Sequence, residues 1–306
     1  MFDIEPTPIV KLEHELFTQK EIGVWMKLDY LNHEFVSGNK LRKLKYNLEN
    51  FHLKKYESIL SFGGPYSNHL AALSYLGKSI NIPTIGFVRG NYHREKSDTI
   101  EFCESNGMII KYLSIEEYRN KETTKFLEKI LLEYPSTFIL PEGGKNNLAK
   151  KGCGEIVTET ESQLSFEPDF YFSAVGTGTT IAGIAEKITD GQQAFGIAVI
   201  KGENVAENIQ KDQNCFLENF KILENYHFGG YAKSNESLIT FSKSFVQKYA
   251  IPIDPIYNAK CLYAIFDLAE KNHFPAKSKI LVIHTGGLQG IDGFCKKNNL
   301  PTSIFR

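Results

Sequence analysis

Short apolar, β-branched runs alternate with amphipathic stretches along this chain, the pattern of parallel strands joined by crossover helices. The runs at 59–62, 84–88, 108–112, 138–140, 170–175, 195–200 and 280–284 are the predicted strands, and helices lie between them. No internal repeat or low-complexity segment interrupts the rhythm. At 306 residues the chain exceeds the usual size of one core, so two lobes with a cleft between them are expected. The first four strands make one α/β unit of about 90 residues. It spans residues 51–143 and is inserted in a larger unit formed by residues 1–50 and 144–306. A ligand cleft is expected where the two meet.

Composition removes several classes of function. With 35 Lys and Arg against 36 Asp and Glu, the net charge of -1 provides no general field for a polyanion, so nucleic acid is not the expected partner. There is no apolar run of about 18 residues, and Met1-Phe2-Asp3-Ile4-Glu5 lacks the regions of a signal peptide. A cytoplasmic protein that meets no membrane is expected. Cys103, Cys153, Cys215, Cys261 and Cys295 are odd in number and lack zinc-ligand spacing, which reads as buried reduced thiols and no metal.

The stretch FVSGNKLRKLKYNL, residues 35–48, holds Lys40, Arg42, Lys43 and Lys45 within six positions. Leu41, Leu44, Leu48 and Phe51 form one buried helical stripe. Arg42, Lys43 and Lys45 lie off it and read as a solvated face. Lys40 differs because it opens the helix after Ser37-Gly38-Asn39, where Asn39 can cap and Gly38 allows close backbone approach to a ligand. A cation there opposes the helix dipole, which weighs toward a chemical role.

Residues 170–184, FYFSAVGTGTTIAGI, run from a strand through Gly176 and Gly178 into a helix entered by Thr177, Thr179 and Thr180. Free N–H groups and hydroxyls in this arrangement form a cup for a phosphate monoester. A dinucleotide fingerprint would need glycine at Ile181, and no Gly-Lys-Ser/Thr follows to make a Walker loop. A plain strand-to-helix turn is the alternative. In the inserted unit Gly63-Gly64-Pro65-Tyr66-Ser67-Asn68-His69 repeats the strand-turn-helix pattern. Ser67 or Asn68 serves there as an N-cap or as a holder of a substrate carboxylate, with Tyr66 and His69 beside them. His284-Thr285-Gly286-Gly287 ends the last strand where open α/β sheets place ligand contacts. A lysine near a phosphate cup, without metal cluster or dinucleotide motif, points to pyridoxal phosphate.

The stretches PTPIVKL, SGNKLRKLKYNL, GGPYSNHLAAL, LPEGGKNNLAKKGCGE, VGTGTTIAG, DPIYNAK and HTGG occur in this order between Pro6 and Phe294. Together they resemble the family of 1-aminocyclopropane-1-carboxylate (ACC) deaminase and D-cysteine desulfhydrase. The resemblance implies an α/β, two-domain fold of the tryptophan-synthase-β type (pyridoxal-phosphate fold type II), with mainly parallel sheets flanked by helices. It implies that Lys40 holds the cofactor as a Schiff base, that Asn68 lies beside the pyridine 3-oxygen, and that Ser67 contacts the substrate carboxylate. It assigns Thr177, Gly178, Thr179 and Thr180 to the phosphate and makes Tyr257 the active-site tyrosine. It also implies a homodimer acting on a small amino acid.

Departures from the family pattern separate its two activities. Ring-opening members carry Glu after that tyrosine and Leu before the last Gly-Gly, where this chain has Asn258 and Thr285. Neutral groups near the pyridine nitrogen leave a weaker electron sink, which favours departure of a thiol over ring opening. The expected activity is D-cysteine desulfhydrase-like β-elimination, yielding a 2-oxo acid, ammonia and sulfide. ACC deamination is the alternative, and a non-catalytic pyridoxal-phosphate- or anion-binding protein is the alternative of another class. Tyr66 replaces a glutamine common in both branches, and Glu142 adds a carboxylate with no assigned role.

Overall fold

The computed structural model describes residues 4–53, 56–90 and 96–306; the first three residues of the opening segment lie outside them. Ten strands form two sheets. They are β1 (Ile9–Lys11), β2 (Gly23–Lys27), β3 (Ser58–Gly63), β4 (Thr84–Arg89), β5 (Ile109–Leu113), β6 (Thr137–Leu140), β7 (Phe170–Val175), β8 (Gln193–Ala198), β9 (Phe220–Leu223) and β10 (Lys279–Ile283). The six-stranded sheet has the order β1-β2-β10-β7-β8-β9, parallel except for β1, which runs antiparallel to β2. The four-stranded sheet is all parallel, in the order β5-β4-β3-β6.

All seven predicted strands are present, each within two residues of its expected ends. The strands β1, β2 and β9 were not expected. They are short or strongly polar at the ends, and β9 is only FKIL, too brief to show a period. Parallel sheets covered on both faces bury alternate side chains in opposite layers. Phe172, Ala174, Ile280 and Val282 enter one core, whereas Tyr171, Val175, Leu281 and Ile283 enter the other. In the smaller sheet Ile59 and Val88 face one cluster and Leu60, Phe62, Ile85 and Phe87 the next. All five cysteines are buried and unpaired.

The helix Asn39–Leu53 lies between the two sheets' helical layers. Its stripe of Leu41, Leu44, Leu48 and Phe51 packs with Leu70, Leu73 and Leu76 of the helix Asn68–Ser79. Its other side meets the helix Asn147–Gln163 so closely that a Cβ on Gly152 would stand 2.0 Å from the Arg42 carbonyl oxygen. That second contact overturns the reading of Arg42, Lys43 and Lys45 as a solvated face. Arg42 is fully buried, bound to Asp29 at 2.6 Å and to Glu159 at 2.7 Å. Lys45 pairs with Glu155 at 2.8 Å across the same helix contact. A solvated face and a face covered by a distant helix have the same local pattern, and only the partners 13 and 117 residues away distinguish them.

Candidate active site

Strands β3, β7 and β10 deliver their carboxyl ends to one place, where each runs into a glycine turn: Gly63-Gly64, Gly176-Thr177-Gly178 and Gly286-Gly287. Parallel sheets place ligands at such ends. A cavity of about 460 Å³ opens among them, within the range that holds a cofactor and a small substrate.

Lys40 lines this cavity. The turn before it is pressed against the end of β10: Gly38 has φ +73°, and a Cβ there would meet the Thr285 carbonyl oxygen at 2.0 Å. Asn39, expected as a cap, is the first residue of the helix, and its side chain is bonded elsewhere. Its amide donates to Thr180 Oγ1 at 2.8 Å, and its oxygen accepts from Lys40 Nζ at 2.9 Å, which ties the lysine to the threonine turn. Although part of Lys40 is open to the cavity, the surrounding protein strips enough water to lower its pKa to about 7, and repulsion from Lys43 adds to this. Half of its amine is therefore uncharged near neutral pH.

Lys43 is the main site residue that the sequence reading missed. It is buried, lines the cavity and lies 3.4 Å from both Thr177 Oγ1 and the Gly143 carbonyl oxygen. The signal was its position three residues after Lys40, which puts both amines on one helix face.

Thr177, Gly178 and Thr180 line the cavity, and Thr179 lies behind with its hydroxyl 3.2 Å from that of Thr177. Gly178 adopts φ +82°, and a Cβ there would strike Ile209 at 2.4 Å. Because Thr180 Oγ1 accepts from Asn39, its own proton is left to donate elsewhere. Gly176 is backed by Tyr257, whose hydroxyl would lie 3.7 Å from an added Cβ. Burial, then Tyr231 beside it, raises the Tyr257 pKa well above the usual phenol value, so it stays protonated. Tyr231 lines the cavity too and was not foreseen.

On the facing wall stand Tyr66, Ser67, Asn68 and His69. Ser67 is the N-cap of its helix, accepting from Leu70 N at 3.2 Å, and it also lines the cavity. His69 Nε2 bonds Ser61 Oγ at 2.8 Å, and that hydroxyl donates to the Leu140 carbonyl oxygen at 2.8 Å. Nε2 is then the protonated nitrogen and Nδ1 a bare acceptor, which has no partner. Burial and the two lysines lower the His69 pKa to about 3, keeping it neutral.

Thr285 reaches the cavity wall; Asn258 does not. Asn258 is buried behind it, with Oδ1 accepting from Thr285 N at 3.0 Å and Nδ2 donating to the Gly286 carbonyl oxygen at 2.8 Å and to Asp254. Asp254 is a third residue the sequence did not reveal. Its carboxylate is 1% exposed and accepts from the backbone N–H groups of Ile256, Tyr257 and Asn258. Burial raises its pKa.

A reactive buried amine, a cup of threonine hydroxyls with a second lysine, and a neutral bare imidazole nitrogen make a donor set that fits pyridoxal phosphate. The family model described as pyridoxal-phosphate dependent enzyme matches residues 1–286. The chain belongs to the pyridoxal-phosphate dependent enzymes. It is 29% identical over 292 residues to a Pyrococcus furiosus protein provisionally named 1-aminocyclopropane-1-carboxylate deaminase, covering 87% of this chain and 85% of that one. It is 26% identical over 299 residues to a bifunctional D-cysteine desulfhydrase/1-aminocyclopropane-1-carboxylate deaminase, mitochondrial, of Arabidopsis thaliana, covering 88% and 73%. The crystal structure of an ACC deaminase homologue superposes with a TM-score of 0.78 at 25% identity, over 96% of this chain and 95% of that one. The fold of this enzyme is accordingly the two-sheet, tryptophan-synthase-β type. No helix among the described residues is long and apolar enough to cross a membrane.

Proposed function

We propose that this pyridoxal-phosphate enzyme catalyses β-elimination from a small D-amino acid with a good leaving group, D-cysteine being the model substrate. The observation that carries the reading is the position of Lys40, a half-neutral amine in one cavity with the threonine cup and the Ser67-Asn68 turn. When bound, pyridoxal phosphate supplies an electron sink for the charge developed at the substrate Cα.

The chain's residues do the rest. Lys43, Thr177 and Thr180 hold the phosphate, with Thr179 fixing Thr177 from behind. Ser67 and the first N–H groups of its helix hold the substrate carboxylate, and Asn68 steadies the ring edge. Lys40 Nζ anchors the cofactor and then removes the Cα proton. Tyr257, protonated, donates toward the departing group. His69 and Tyr66 close the substrate side of the cavity. Residues 51–143 act as the lobe that closes and excludes water, against a cofactor-holding unit of residues 1–50 and 144–306. The working form is a cytoplasmic homodimer, expected to sediment at twice 34.7 kDa.

Elimination is favoured over ACC ring opening because the wall near Thr285 presents a neutral hydroxyl, while Asn258 is committed to Thr285, Gly286 and Asp254. The test is a panel of D- and L-cysteine, D-serine, β-chloro-D-alanine and ACC, scored for 2-oxo acid and ammonia. Pyruvate and sulfide from D-cysteine are expected; faster conversion of ACC to 2-oxobutanoate would replace this reading with ring opening.

A further inference from the structure

The outer wall of the cavity carries a cation that the roles above do not use. Arg89 ends β4 and lines the cavity. One of its guanidinium nitrogens lies 3.9 Å from where a Cβ on Gly64 would stand, and beyond the glycine's chain neighbours no other atom of the described residues comes within 4 Å of that point, so the glycine leaves room in front of the cation. Its ring contact is Tyr118, at 5.7 Å from the guanidinium carbon to the centroid. Glu142, the carboxylate on the same wall, is paired instead with Lys121 at 3.2 Å. Lys121 itself sits 4.6 Å from the Tyr118 centroid. No carboxylate among the described residues forms an ion pair with Arg89. Among the described residues Lys121 takes the Glu142 carboxylate, while Arg89, set against the Tyr118 ring, forms no ion pair.

A guanidinium is permanently charged and presents a planar fork that matches an oxyanion. In the reading above, the substrate's carboxylate is already met by Ser67 and the helix that it caps. We propose that Arg89 holds a second, anionic group, and that the preferred substrates are amino acids whose β-substituent is an oxyanion ester such as phosphate or sulfate. This rests on the β-elimination reading and specifies what leaves. Lys40 takes the Cα proton, and the electron pair left behind forms the Cα–Cβ double bond. The Cβ–O bond breaks, its pair departing with the phosphate or sulfate. Cβ then gains a proton, turning the enamine into an imine, and water hydrolyses its C=N bond, so that the products are a 2-oxo acid, ammonia and the free oxyanion. No oxidant or reductant is required. An ester oxyanion departs without first gaining a proton, which suits a wall that offers fixed positive charge.

The test compares wild-type holoenzyme with Arg89→Gln and Arg89→Lys. Release of 2-oxo acid is measured with O-phospho-D-serine, D-serine O-sulfate, their L forms and D-cysteine, and calorimetry measures binding of the phosphoserines and of D-serine. The esters are expected to exceed D-cysteine in kcat/KM. Arg89→Gln should lower the ratio of ester to D-cysteine turnover about ten- to hundredfold, the loss of one charge-assisted contact, with Arg89→Lys in between. An equal fall for every substrate would overturn the proposal, since Arg89 would then serve the common carboxylate. So would phosphoserine binding no tighter than D-serine. Should no substrate, D-cysteine included, yield a 2-oxo acid, the elimination reading fails. The calorimetric contrast between phosphoserine and D-serine, and its loss in Arg89→Gln, still decides the role of Arg89.

Discussion

Lys40 and Lys43 stand one helical turn apart and line a single cavity. With Lys40 proposed as the anchoring amine, Lys40→Ala should abolish the visible absorbance of the bound cofactor and all turnover, while the far-ultraviolet circular dichroism is retained. Only an uncharged amine attacks an aldehyde. With the Lys40 pKa lowered to about 7, uptake of pyridoxal phosphate by the apoprotein should accelerate as pH rises through about 7 and level off above it. Lys43 contributes to that lowering through like-charge repulsion, second to burial. Lys43→Met removes the repulsion, raises the Lys40 pKa and should move the uptake midpoint to higher pH; it should also weaken the cofactor by about 1.5–3 kcal/mol, one charged contact. A midpoint that stays in place would show that the two amines are not coupled.

At the scale of elements, the site depends on how the helix Asn39–Leu53 is clamped. Arg42 links it to Asp29 and Glu159, and Lys27 also reaches Glu159 at 2.9 Å. Removing one member of a buried charge network leaves the others uncompensated, so Arg42→Ala should destabilise the apoprotein by about 3–5 kcal/mol in denaturant titration. A solvated arginine would cost less than about 0.5 kcal/mol, which makes the measurement decisive. In the threonine cup, Thr179→Val with Thr180→Val should weaken cofactor binding by about 1.5–3 kcal/mol per charge-assisted bond lost, with less effect on the apoprotein. The elements themselves were legible in the sequence because strand runs such as 170–175 and helix stripes such as Leu41, Leu44 and Leu48 are local periodicities. What a helix meets on its second face is not local. That is why Arg42 looked like surface; Asp254, four residues before Asn258, is by contrast a local contact at a helix start, where a carboxylate is too common to stand out.

For the molecule as a whole, Asp254 changes what a switch between the two chemistries requires. From sequence, Asn258→Glu with Thr285→Leu restores the residues of ring-opening members and should convert elimination to ring opening. In the fold, residue 258 touches the Asp254 carboxylate in a buried layer. A glutamate there sets two carboxylates in contact; both cannot ionise, and one retains a proton. The double variant should therefore gain little ACC turnover and melt earlier than wild type. Adding Asp254→Asn keeps one oxygen for the N–H groups of Ile256 and Tyr257, which both bond the same Asp254 oxygen, and turns an amide donor toward the new glutamate at the cost of the bond from the residue 258 N–H. The triple variant should recover part of the lost stability, gain ACC turnover and lose rate with D-cysteine. ACC and D-cysteine kinetics on both variants, with thermal melts, test this. If the double variant alone reaches the ACC rate of the triple, Asp254 exerts no control over residue 258.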